Sequence, residues 1–264
     1  MADKELEFLG SSLKDLKEFP DAAKQDAGYQ LGKVQKGEEP DDWKPFSTVG
    51  AGVKEIRIRE DKNIFRIMYV AKFRDTVYVL HAFQKKKQKT SQKDIELAKN
   101  RYNNIAGRKI IMSEKFSNVW DALFDDPGEK AVLEIKSRLM DEIRHYLKYE
   151  SLTQEKAAEI LGISQPRISD ISTGKISKFT IDALVGILAK AGIDIEMRPK
   201  NQNNLIKVPP QQWNHSHLEL VQKTEDSRKK QVGGWSIEMS SPSMKTNQEN
   251  ILSSDVCDEY ALEA

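Results

Sequence analysis

Residues Gln154 to Ile171, QEKAAEILGISQPRISDI, place small and apolar side chains at offsets that leave little freedom in how the segment folds. Gln154 opens one helix, Ala158 stands where a second helix must cross closely, and Gly162 occupies the turn, where positive φ is easiest for glycine. Ile168 and Ile171 bury the second helix against the first, with Ser164 as its N-cap. The pattern predicts a helix-turn-helix whose second helix turns Ser164, Gln165, Pro166, Arg167, Ser169 and Asp170 outward at the end that enters a major groove. Gln165 and Arg167 suit adenine and guanine edges or phosphate, Ser169 is a shorter hydrogen-bonding arm, and Lys175 and Lys178 suit phosphates. The plainer alternative is a helical bundle used only for protein contact. Residues 109–200 carry 14 basic against 15 acidic side chains, which favours a homodimer on palindromic operator DNA over a monomer held by charge alone.

The first part of the chain reads differently. Glu5-Leu-Glu-Phe-Leu9 alternates like a short strand, Ser11-Ser12 caps a helix through Leu13, Leu16 and Phe19 that Pro20 ends, and Asp21 to Gln35 forms a second helix stopped at Gly37. After a polar loop come three β-patterned runs, Val53–Arg59, Ile64–Val70 and Thr76–Phe83, separated by charged turns, which together spell an antiparallel meander. Lys93 to Asn104 has helical spacing and packs on or beside that sheet. Gly107-Arg-Lys109 marks a boundary, and Met112 looks like a former start codon. A segment helical throughout follows: a long helix over Ala131–Tyr149, shorter ones over Thr153–Leu161, Ser164–Ser172 and Thr180–Ala191, then a terminal strand over Gly192–Met197 ended by Pro199. Beyond Asn201 periodicity disappears, and few aliphatics remain to offset chain entropy, so the tail is expected to be mostly disordered, with Trp213 and Trp235 as isolated docking aromatics. The expected class is α+β: helices plus an antiparallel sheet in residues 1–108, an all-α helix-turn-helix domain in 109–200, and a polar tail in 201–264.

Charge separates the parts. Residues 1–108 hold 22 basic against 17 acidic side chains, and Val53–Lys89 alone holds 11 against 4, an asymmetry that a phosphate backbone exploits, although a solvated strand face is the bland reading. Arg57 and Arg59 share a strand face with Glu55; Arg66, flanked by apolar residues, needs either water or a polyanion; Lys85, Lys86, Lys87 and Lys89 extend the field after His81 and Phe83. With no carboxylate pair, metal-ligand cluster or Ser/His/Asp set, these residues suit RNA cleavage, where the ribose 2′-OH is the nucleophile and the protein supplies cations and proton transfer. On that reading Arg57, Arg66, His81, Lys85 and Lys86 are the catalytic candidates, and Lys54, Arg59, Lys87 and Lys89 bind RNA. A lone strand histidine is more often structural than catalytic. His215 and His217 lack a third metal ligand nearby, and nothing calls for a cofactor. A single cysteine, Cys257, fits a reducing, cytoplasmic setting, and neither a signal-peptide core nor a run of eighteen apolar residues is present.

Two resemblances follow. Phe116-Ser-Asn-Val-Trp-Asp-Ala-Leu-Phe124, Thr153–Ala158, Ser164–Asp170, Gly174-Lys175 and Phe179–Leu184 resemble the Cro/repressor helix-turn-helix family, more narrowly HigA-type antitoxins, over about residues 113–198. Phe8–Ser12, Lys44-Pro45, Gly52–Arg57, Phe65–Tyr69, His81–Lys86 and Ile95–Lys99 resemble the HigB-type branch of the RelE superfamily over residues 4–104. The second resemblance implies ribosome-dependent mRNA cleavage through a 2′,3′-cyclic phosphate, with Arg57, Arg66, Lys85 and Lys86 at the family's basic positions. Glu55 stands where the better-known branch has a basic residue, and that branch's catalytic tyrosine has no counterpart, its place falling near Gln92. Toxin before antitoxin is also the gene order of this family. The expectation is therefore a toxin fused to its antitoxin, in contact in cis or in trans, acting on mRNA and ribosome and on operator DNA. A linker from Ile105 to Lys115, at most about 35 Å long, would let the second domain cover the basic sheet. A non-enzymatic repressor with an inactive RelE-like domain is the competing reading, and a ParE-like gyrase inhibitor a third.

Overall fold

The computed structural model describes residues 3–71, 75–85, 90–107, 112–199 and 235–240. Strand β1 (Glu5–Leu9) is followed by helices α1 (Ser12–Lys17) and α2 (Asp21–Gln35), then by β2 (Trp43–Pro45), β3 (Val53–Glu60), β4 (Asn63–Val70), β5 (Thr76–Gln84) and helix α3 (Gln92–Ala106). As the alternation and charged turns predict, β3 to β5 form an antiparallel meander; β2 extends it at one edge, and β1 joins beside β5 in parallel. Period-two alternation splits the sheet into two faces. Leu6, Phe8, Ile56, Ile58, Phe65, Ile67 and Tyr69 pack on the apolar sides of α1 and α2, while Val53, Met68, Val70 and Leu80 pack around Ala98 of α3. A bulge between Met68 and Tyr69 shifts the register of β4 against β5. Ser91 caps α3 by accepting from the Asp94 N–H.

The second half comprises β6 (Ser113–Phe116), α4 (Val119–Leu123), α5 (Pro127–Tyr149), α6 (Gln154–Leu161), α7 (Gln165–Ser172), a 3-10 turn (Ile176–Lys178), α8 (Ile181–Lys190) and β7 (Asp194–Pro199). Asn118, Asp126, Thr153 and Thr180 cap helices α4, α5, α6 and α8 through their side chains. Three expectations need correction. The segment is not helical throughout: β6 adds to the first sheet, antiparallel to β1, so part of the expected linker is an edge strand. Its Ser-Glu-Lys-Phe sequence is held by backbone pairing, by the Lys115–Glu7 ion pair at 3.5 Å and by one edge-on contact of Phe116 with Phe8 at 6.0 Å, so a single apolar residue is all that its alternation displays. The polar loop expected over Gly37–Gly52 contains a short strand, β2, while the terminal strand expected over Gly192–Met197 is present as β7. Within the tail, β8 (Trp235–Ser240) pairs antiparallel with β7. The remainder of the tail, with Trp213, His215, His217 and Cys257, lies outside the described residues.

One apolar core runs through both halves, and α2 is its meeting point. Trp120 lies so close over α2 that a Cβ at Gly28 would sit 2.4 Å from its ring, so only glycine fits there. Gln35 donates to the carbonyls of Lys4 and Ser117 and accepts from the Val119 N–H. Polar contacts continue along the same seam. Tyr29 donates to Asp141 at 2.6 Å, Lys36 pairs with Asp141, Arg144 forks onto Asp41, and the Ser177 N–H donates to Asp26 at 2.9 Å.

Candidate nucleic-acid interfaces

The cationic face begins with a conflict. Arg57 and Arg66 are directly opposite each other on β3 and β4, an arrangement that repels unless carboxylates intervene. The sequence offers Arg66 water or a polyanion; the structure instead gives it Glu55, fully buried, whose two oxygens take one guanidinium nitrogen at 2.5 and 2.6 Å. Arg66 also donates to Thr90 at 3.3 Å, and Lys44 stands 3.8 Å from the same carboxylate. Arg57 pairs with Asp42 at 2.5 Å, and Arg59 donates to that residue's other oxygen at 3.1 Å. The Nε atoms of Arg57 and Arg66 are buried and have no hydrogen-bond partner among the described residues. Lys85 borders this field; desolvation and the nearby charges of Arg66, Lys44 and Arg57 hold its ammonium below the usual lysine range.

Of the other expected residues, Lys54 falls on the opposite face. It alternates with Glu55 and Arg57 along β3, pairs with Glu39 at 2.5 Å and lies over the Trp43 ring at 4.3 Å. His81 is buried: its Nε2 is 2.9 Å from Asp94, its Nδ1 is 3.7 Å from Asp15, and its ring stacks on Phe83 at 5.0 Å. It thereby ties α1 and α3 to the sheet. Lys86, Lys87 and Lys89 lie outside the described residues. Sequence reasoning missed Asp42, Lys44, Thr90 and Asp94 as partners of this face. The acidic Glu38-Glu-Pro-Asp-Asp42 run beside a basic sheet was the available signal.

The expected covering of the basic sheet by the second half also needs correction. Among the described residues, the second half docks on α2 and along β1, and forms no hydrogen bond or ion pair with the side chains of Glu55, Arg57, Arg66 or Lys85. The apolar surface of α2 lies on the other side of the sheet, and that is where the helices of the second half find burial.

In the helix-turn-helix, Gly162 adopts φ 59°, and Ile168 and Ile171 are buried as expected. Ala157, not Ala158, is the fully buried alanine at the crossing, because the face of α6 turned inward is the one that also carries Leu161. Ser164 sits at the N-cap of α7, but its side chain makes no cap hydrogen bond. Ser164, Gln165 and Pro166 are exposed, and Arg167 and Ser169 are half-buried. Gln165 donates to Glu155 at 3.0 Å, and the Arg167 guanidinium lies 4.4 Å over the Phe179 ring, which fixes its direction. Lys175 pairs with Asp170 at 3.2 Å, and Lys178 stands 3.7 Å from that carboxylate.

The chain joins an α+β half with a cationic sheet face to a helix-turn-helix half whose second helix is partly exposed. Residues 14–103 match the family of phage-derived Gp49-like proteins, and residues 123–200 match a helix-turn-helix domain family. The chain thus carries a Gp49-like domain, of the RelE/HigB toxin type, followed by a helix-turn-helix domain, consistent with a fused toxin–antitoxin. No curated protein matches it. No described helix is long and apolar enough to cross a membrane.

Proposed function

We propose that residues 1–108 are a HigB-type toxin that cleaves mRNA on the ribosome in the cytoplasm, and that residues 109–200 are a HigA-type antitoxin that restrains it and, as a homodimer, represses its own operator. The observation that carries the toxin assignment is the pair of buried guanidinium Nε donors on Arg57 and Arg66, without a protein acceptor among the described residues, beside an acidified Lys85 on a face the second half leaves open. A scissile phosphate supplies the missing acceptor oxygens. As the ribose 2′-OH gives its proton to solvent water and its oxygen attacks phosphorus, the bond to the 5′-O breaks; Arg57 and Arg66 stabilise the phosphorane charge, and Lys85 hands its proton to the leaving oxygen. Glu55 orients Arg66, and His81 acts by positioning Phe83 and the two helices it ties down. Gln165, Arg167 and Ser169 read base edges, with Ser164, Pro166 and Lys175 placing the helix against the backbone.

A non-enzymatic repressor is favoured by one observation: both arginines already hold a carboxylate, Glu55 or Asp42. Mapping cuts in ribosome-bound mRNA separates the readings. Residues 1–118, which keep β6, are expected to cut, the full chain more slowly because its second half restrains it, and the Lys85→Ala and Arg66→Lys variants of either to lose at least about a hundredfold in rate. Intact mRNA with every wild-type form, and no growth arrest on expression, would establish the repressor.

A further inference from the structure

Asp41 and Asp42 are neighbours in sequence, yet they turn to opposite sides of the sheet edge. Asp42 neutralises Arg57 and Arg59 on the cationic face, and its carbonyl also accepts from the Arg57 N–H at 2.8 Å. Asp41 points the other way, into the seam, where Lys33 reaches it at 2.7 Å, Gln30 at 2.9 Å and Arg144 of α5 through two nitrogens. Burial pushes the Asp41 carboxyl up, but its bonds to Arg144, Lys33 and Gln30 outweigh that and hold it below the usual carboxylate range, so it is a firmly charged anchor. Among the described residues, Arg144 is the only side chain of the second half that grips this loop.

We infer that the loop carrying Asp41 and Asp42 is an internal latch: Arg144 of the antitoxin half holds Asp41, and Asp42 is thereby kept on Arg57, where it stands in place of RNA phosphate. The latch rests on reading the cationic face as an RNA site. It restrains that face from behind, without covering it. An incoming phosphate must displace the Asp42 carboxylate, and loss of Arg144 leaves Asp41 held by Lys33 and Gln30 alone, so that the loop yields more readily.

The test is equilibrium binding of a fluorescent single-stranded RNA oligonucleotide by the full chain, in the absence of ribosomes. Asp42→Asn is expected to tighten binding about fivefold, the scale of one partly exposed ion pair. Arg144→Gln is expected to tighten it as well, although it removes a positive charge, which by itself weakens RNA binding. Asp41→Asn breaks the same clamp from the other side and serves if the Arg144 variant fails to fold. Adding Arg144→Gln to Asp42→Asn should give no further gain, and adding Arg57→Ala should abolish the gain. Asp125→Asn, which removes an exposed charge elsewhere, should change little. RNA binding that is indifferent to Asp42, or weakened by both Arg144→Gln and Asp41→Asn, overturns the latch alone. Absence of RNA binding in every variant overturns it together with the RNA-cleavage reading.

Discussion

Arg66 and Arg167 are the guanidinium groups proposed to meet nucleic acid, one in each half, and the fold treats them in opposite ways. Arg66 is buried in a sheet, locked onto a fully buried Glu55, while Arg167 is half-exposed on a short helix and rests only on the face of Phe179. The difference follows from the dielectric around each. A charge inside a sheet must bring its counter-charge with it, whereas a charge at a helix surface is satisfied by water and by an aromatic ring. The cationic face is consequently part of the fold, and the recognition helix is carried on it.

The sharpest way to break that contrast is Glu55→Ala, which strips Arg66 of its buried partner. Removing one member of such a pair destabilises by roughly 3–5 kcal/mol, because the charge left behind has no solvent. Urea denaturation of the full chain is the measurement, and a loss below about 1 kcal/mol would mean that Arg66 reaches water. The same deletion on the helix side, Glu155→Ala at the Gln165 hydrogen bond, should leave stability within about 0.5 kcal/mol.

Asp26 lies between the two regions, on α2 in the first half but bonded to the turn that follows α7. Burial raises its carboxyl from 3.8 to about 6, against the opposing effect of the Ser177 backbone hydrogen bond, with Glu60 adding repulsion and Lys175 some relief. The folded chain therefore holds a proton there that the unfolded chain releases near pH 4. This contribution to stability is complete below about pH 4 and is lost as pH rises through 6. Asp26→Asn removes the penalty of the ionised form, so the variant should be more stable by about 3 kcal/mol at pH 7, the gain shrinking towards pH 4. A stability difference between the two proteins that does not change over pH 4–7 would show that Asp26 titrates as an exposed group.

Much of this was legible in sequence. The α2 limits, the meander and the Gly162 turn came from period-two alternation, apolar spacing and the one conformation glycine favours, all local signals. What stayed hidden was pairing. Glu55 looked like a departure from a basic pattern, yet register places it beside Arg66; Asp42 sat in a loop judged only polar, and β6 is held by backbone hydrogen bonds that no residue type advertises. The side on which the second half docks was equally unreadable, since α2 is apolar at the seam and no local pattern says what covers it.

Gly28→Ala tests the seam that joins the regions. Alanine is the better helix former by about 1 kcal/mol, but its Cβ would lie 2.4 Å from the Trp120 ring. Overpacking by this much destabilises by about 1–3 kcal/mol, so sterics should win over propensity and the thermal midpoint should fall. If the midpoint rises instead, Trp120 has room to move and the two halves are less tightly joined than the close contact indicates.

The smallest effect belongs to the recognition helix. Arg167→Ala gives up a cation–π contact of about 0.5–1 kcal/mol at a half-exposed site, so stability should scarcely change. Affinity for double-stranded DNA selected by the full chain should nevertheless fall several-fold, because Arg167 is aimed by Phe179 at whatever lies against α7. Arg167→Lys keeps the charge but loses the planar fork; it should recover the part of the loss that depends on salt and none of the part that depends on sequence. Equal binding by all three proteins across the selected sequences would move base reading away from Arg167 and leave Gln165 and Ser169 to carry it.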